Sequence, residues 1–166
     1  MIRAIVTAGG IGLLRPAPGT WGSAVATLVA LGVAMAGQAW LVPVAALLAT
    51  ILGLWAVPRA TAVLADPDRP DIVIDELAGQ WLALSFTLLP LWWRGADPLA
   101  AWPGVVVPFL LFRLFDIWKP GPVGRADRRG DAAGVMFDDL WAGLFAGIAS
   151  VLLAGIWHGL MFGWPG

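Results

Sequence analysis

Five carboxylates and two cations stand out by type and spacing: Asp75-Glu76, Asp116, Asp138-Asp139, Arg113 and Lys119. Oxygen-rich clusters of this kind suit Mg²⁺, whose octahedral shell accepts carboxylates together with substrate phosphate. Arg113 and Asp116 stand at i and i+3, and Lys119 adds another step of three, so a helix through them carries a stripe of plus, minus, plus. Such a stripe can compensate charge on a bound anion, or form an ion pair that only locks helix packing. Two adjacent acids inside an apolar helix call for compensation, which a divalent cation supplies; at a helix start the macrodipole also favours them. Asp138-Asp139 stands before another apolar run and has the same two readings, with N-capping as the structural one. A third feature is Pro18-Gly-Thr-Trp-Gly-Ser23, read as a turn before a helix. Free amides at such a start can hold phosphate, which makes Thr20, Gly22 and Ser23 candidate phosphate contacts, though the same turn also serves as an ordinary capped helix start.

These groups need elements that carry them to one place. Read against the roughly 17 to 25 residues that a helix needs to cross hydrocarbon, five runs emerge: Trp21–Ala36, Ala39–Val57, Ile74–Trp93, Leu99–Trp118 and Leu140–Phe162. The first is short, and Gly37-Gln38 joins it to the second as a tight hairpin. Pro43, Pro103 and Pro108 predict kinks. Trp21, Trp40, Trp55, Trp92, Trp93, Trp102, Trp118 and Trp141 fall at predicted span ends, where an indole prefers the headgroup level. Gly143 with Gly147, and Gly155 with Gly159, repeat at four-residue spacing and predict close approach of another helix. With the N-terminus in the cytoplasm, Arg3, Arg15, Arg59, Arg69, Lys119, Arg125, Arg128 and Arg129 lie inside and only Arg94 outside, the asymmetry the positive-inside rule expects. That orientation brings all the groups named above to the cytoplasmic face.

Composition sets the outer bounds. Of 166 residues 60% are apolar, and the charged share of 13% is about half that of a soluble domain, so few charges could not cover such a surface in water. A net charge of -1 argues against a nucleic-acid partner, which needs a clustered excess of Lys and Arg. No cysteine is present, which removes thiolate nucleophiles and thiolate metal sites. Met1–Gly12 lacks the long apolar stretch of a cleavable signal, and one integral-membrane domain over residues 1–166 is expected. His158 reads as a packing or interfacial residue, and Asp66, Asp68 and Arg69 as solvated turn residues.

Four blocks, Pro16–Ser23, Ile72–Gly79, Phe112–Pro122 and Gly134–Gly143, stand in an order that resembles the phosphatidylglycerophosphatase A family of bacterial membrane lipid phosphatases. The resemblance implies an all-α, polytopic bundle of about five membrane helices in the bacterial inner membrane, with its active site facing the cytoplasm. It further implies Mg²⁺-dependent hydrolysis of phosphatidylglycerophosphate to phosphatidylglycerol and inorganic phosphate, a step of phospholipid biosynthesis. Asp75, Glu76, Asp116, Asp138 and Asp139 would then stand at the metal, Asp75, Glu76, Asp116 and Asp139 would be catalytic, and Arg113 and Lys119 would hold substrate phosphate. Arg125, Arg128 and Arg129 are expected to offer further cationic contacts to the headgroup. One departure is Asp131-Ala-Ala133, where the family pattern has a glycine-rich stretch, so no role passes to Asp131. The residues alone leave open a CDP-alcohol phosphotransferase or phosphatidate phosphatase, and a transporter or structural membrane protein whose buried charges form a path or a lock.

Overall fold

The computed structural model describes residues 1–62 and 69–162; Asp66 and Asp68 lie outside the described residues. Seven α-helices and no strand occur among them: α1 Ile2–Val6, α2 Pro18–Met35, α3 Leu41–Thr61, α4 Ile74–Trp93, α5 Pro103–Trp118, α6 Pro122–Asp127 and α7 Ala132–Phe162, with a 3-10 turn over Ala8–Leu13. Three of them, α2, α3 and α7, are long and apolar enough to cross a membrane.

Side-chain size is distributed as expected for a bundle whose solvent is hydrocarbon. Helices face each other through small residues, among them Ala26, Ala30, Ala49, Ala56, Ala78, Ala83, Ala142 and Ala146, while Leu28, Leu47, Ile51, Leu152 and Ile156 point outward. Lipid tails are as apolar as leucine, so burying leucine against another helix gains little, and close backbone approach becomes the better source of contact energy. The hub is α4, which packs against α2, α3, α5 and α7. Its indoles tie it to α2 and the hairpin: Trp81 Nε1 donates to the Ala26 carbonyl at 2.8 Å and Trp92 Nε1 to the Gly37 carbonyl at 2.7 Å.

One helix crossing sets the geometry of everything that follows. Gly79 of α4 and Gly143 of α7 meet backbone to backbone, because a Cβ on Gly143 would stand 2.9 Å from the Gly79 carbonyl carbon. A Cβ on Gly79 would in turn stand 2.6 Å from the Phe112 ring of α5. Farther along, a Cβ on Gly147 would press into the Phe86 ring, so α4 and α7 run in the same direction. The close approach expected of Gly143 and Gly147 is therefore present, whereas a Cβ on Gly155 would meet nothing within 4 Å.

Several expected boundaries move, each for a local reason. The last helix begins at Ala132 rather than Leu140, because Asp131 Oδ1 accepts the Gly134 amide at 2.6 Å and starts the helix in a polar stretch that hydropathy passes over. Asp138 and Asp139 consequently lie about two turns inside α7, which removes the N-capping reading, and Trp141 is not at a helix end. The first long helix begins at Pro18, not Trp21, with proline's fixed φ suited to its first position. Pro103 opens α5 in the same way and Pro43 lies in the first turn of α3, so neither interrupts a helix; Pro108 does lie inside α5.

Candidate active site

Because Asp75 precedes Gly79 by four residues and Asp139 precedes Gly143 by four, the glycine crossing sets both carboxylates one turn from the point where the backbones touch. Asp75, Glu76 and Asp139 each offer a carboxylate oxygen within 4.8 Å of the others. Asp75 and Asp139 are buried, and Glu76 Oε2 is buried with no hydrogen-bond partner among the described residues. Glu76 and Arg113 reach this point because position 19 has no side chain: a Cβ there would run into Glu76 Oε1 and stand 3.3 Å from Arg113 Nη1.

The group belongs to the wall of a cavity of about 330 Å³ lined by all five predicted carboxylates, by Arg113 and Lys119, and by Gly19 and Thr20 of α2. Two of the carboxylates are engaged by cations. Arg113 Nη1 lies 2.7 Å from Asp116 Oδ2 and donates to Ser23 Oγ at 3.3 Å; Lys119 Nζ donates to Asp138 Oδ2 at 3.0 Å and pairs with Asp127. The stripe of plus, minus, plus does not extend to Lys119, because α5 ends at Trp118 and Lys119 takes a left-handed conformation, φ 53° and ψ 53°, that turns its ammonium towards α6 and α7. Burial works against the lysine's charge, but its hydrogen bonds to Asp127 and Asp138 outweigh that and hold its pKa above the ordinary lysine value.

The α2 segment is helix rather than a turn. Thr20 fronts the cavity from the first turn, where amides lack a preceding carbonyl partner, whereas Gly22 packs on Val73 and Ser23 turns its hydroxyl back to the Gly19 carbonyl at 2.9 Å. Gly22 and Ser23 therefore do not line the cavity, and Ser23 meets it only through Arg113. Of the three later arginines expected near the headgroup, none lines the cavity. Arg69, expected as a solvated turn residue, does line it, held by Asp71 through Nε at 2.8 Å and Nη2 at 3.0 Å. Asp127 had no sequence signal beyond being one charge in a charged loop, yet it contributes to the wall and to Lys119. His158 is exposed on α7, far along the helix from the carboxylates.

Fixed cations beside grouped carboxylates can, as chemistry, hold a phosphorylated ligand, and comparison with known proteins gives the chain a lineage. A family model described as phosphatidylglycerophosphatase A matches residues 4–154. The chain belongs to the phosphatidylglycerophosphatase A family. It is 32% identical over 138 residues to phosphatidylglycerophosphatase A of Haemophilus influenzae, covering 82% of this chain and 78% of that protein. It is 31% identical over 158 residues to phosphatidylglycerophosphatase A of Escherichia coli, covering 94% of this chain and 81% of that one. A Bacteroides thetaiotaomicron protein provisionally named phosphatidylinositol-3-phosphatase is 30% identical over 154 residues, covering 86% of each chain. No solved structure matches the chain. The family match takes in every residue of the carboxylate and cation groups described above.

Proposed function

We propose that this chain hydrolyses the terminal phosphomonoester of phosphatidylglycerophosphate, yielding phosphatidylglycerol and inorganic phosphate, at the cytoplasmic face of a bacterial inner membrane crossed by five helices, α2, α3, α4, α5 and α7. The observation that carries this reading is the grouping of Asp75, Glu76 and Asp139 within 4.8 Å in a cavity also lined by Arg113 and Lys119. A divalent cation fits the donor set: three carboxylates converge, and the buried Glu76 Oε2 has no hydrogen-bond partner among the described residues. Asp75, Glu76 and Asp139 would hold Mg²⁺, with Asp116 and Asp138 beside it on the cavity wall. When bound, Mg²⁺ supplies charge neutralisation at the phosphoryl oxygens and at the developing alkoxide.

The chain's own groups do the rest. Arg113 is anchored by Asp116 and Ser23, so its guanidinium is held in one place on the cavity wall. Lys119, kept charged by Asp127 and Asp138, would offer the phosphate a second cation on the cavity wall. Such preplaced charges favour the transition state because they need not reorganise as charge moves onto the phosphoryl oxygens. The burial of the carboxylates limits water, and the attacking water's oxygen ends on phosphorus while a proton reaches the departing glycerol oxygen.

Phosphate release by the purified protein is the test, with phosphatidylglycerophosphate, phosphatidic acid and phosphatidylinositol 3-phosphate compared in mixed micelles, with Mg²⁺ and with chelator. The expected result is Mg²⁺-dependent release that is fastest from phosphatidylglycerophosphate. Faster release from phosphatidylinositol 3-phosphate would move the substrate towards the Bacteroides relative's named one, and no release from any of them would reject the reaction.

A further inference from the structure

A groove of about 780 Å³ runs along the side of α7 turned away from the carboxylates. Val135, Asp138 and Asp139 face the catalytic cavity, whereas Phe137, Leu140, Trp141 and Leu144 face the groove, as helical spacing requires. The short helix α6 is the wall between the two. Its Asp127 fronts the cavity, and Arg125, with Arg129 just past its end, fronts the groove. These are two of the arginines that sequence alone sends to the substrate headgroup.

Charge and polarity in the groove select an occupant. The apolar strip from Phe137 to Leu144 is about 10 Å long, the length of the upper part of an acyl chain. At the α6 end of the strip stand two guanidinium groups. Arg129 shares its charge with Asp131 at 2.9 Å, while Arg125 has no side-chain partner among the described residues. A phosphodiester lipid with no cation in its headgroup matches a net positive end above an apolar strip; a choline headgroup would bring a second cation to the same place. No carboxylate group suited to a metal lines this groove, so a lipid held here would not react.

We infer that the α6–α7 groove binds a second, non-reacting anionic phospholipid, and that its headgroup holds α6 and thereby Lys119 in place. The connection is short. Asp127 of α6 pairs with Lys119, and α6 lies so close that a Cβ on Gly124 would stand 2.5 Å from the Lys119 carbonyl oxygen. The effect on catalysis rests on the reading that Lys119 holds substrate phosphate; binding in the groove does not.

The experiment uses the full chain in zwitterionic micelles with dioleoylphosphatidylmethanol, an anionic phosphodiester that is neither substrate nor product of the proposed reaction, against dioleoylphosphatidylcholine. Native mass spectrometry is expected to show preferential retention of the anionic lipid, reduced about tenfold or more in the Arg125→Gln/Arg129→Gln double variant, with Arg94→Gln unchanged. Phosphatidylmethanol is expected to raise kcat/KM of the wild type severalfold and not that of the double variant, whose activity without added lipid equals wild type. Equal retention of both lipids by the wild type, or undiminished retention by a double variant that unfolds at the wild-type temperature, overturns the site. Lost retention with persistent stimulation overturns the link through α6. Selective retention in a protein that hydrolyses no lipid phosphate would uphold the groove and reject the reaction.

Discussion

Asp75, Glu76 and Asp139 are the side chains whose removal should separate chemistry from packing. Asp75→Asn, Glu76→Gln and Asp139→Asn each delete a charge with almost no change of volume, so each is expected to lower kcat by about a hundredfold or more while the protein stays folded. Phosphate release and thermal unfolding on the same samples check this, and full activity in a stably folded Asp75→Asn protein would exclude the carboxylate group from catalysis. These residues were legible in the sequence because a carboxylate within an apolar run is costly and therefore conspicuous. Asp127 and Arg69 were not, since they sit in segments where charge is the ordinary way to meet water, and only their placement around the cavity sets them apart. Gly19 was legible as part of a turn before a helix, but its use, leaving room for Glu76 and Arg113, depends on neighbours far away in sequence.

Helix crossings and helix starts behave differently under the same reading. Four-residue glycine spacing correctly marked Gly143 and Gly147 as close-approach positions, but the same spacing at Gly155 meets no described neighbour within 4 Å, because spacing marks a face that could be approached and not whether another helix still lies against it there. Gly143→Val should therefore force α7 away from α4, destabilise the protein by several kcal/mol and abolish activity, while Gly155→Val should leave both within error; melting curves and turnover of the pair decide it. The start of α7 was misread because hydropathy reports the solvent a segment prefers and is silent on where its hydrogen bonds begin. Asp131 begins them, and the hydrogen bond from Arg129 and the one from the Gly134 amide hold its pKa below 3.8. A lowered pKa in the fold means that this contribution is present above pH 3.8 and is lost as pH falls through the lower, folded value. Asp131→Ala is accordingly expected to lower the melting temperature at neutral pH, with the gap to wild type shrinking in acid below pH 3.8.

At the scale of the molecule, sidedness follows from the distribution of basic residues and reach from helix length. The eight basic residues that the five-span reading puts on one side predict a reporter fused after Gly166 on the outer face; a cytoplasmic signal would remove one crossing. The described helices that are long and apolar enough to span are unequal: α2 has 18 residues and rises about 27 Å, whereas α7 has 31 and rises about 46 Å. A slab of hydrocarbon about 30 Å thick is matched by the first and overrun by the second. The carboxylates on α7 begin two turns in, so under the five-span reading the overhang would lift them to the level of the polar headgroups without breaking the helix, while Gly19 and Thr20 stand at the very start of α2. On the proposed reading, hydrophobic mismatch would then become a control on catalysis: thicker bilayers would draw the first turn of α2 below the plane of the phosphate, and the spare length of α7 would not compensate for it. Turnover in vesicles of phosphatidylcholine should peak at acyl lengths that match α2 and fall as the chains lengthen, with the melting temperature following a shallower course.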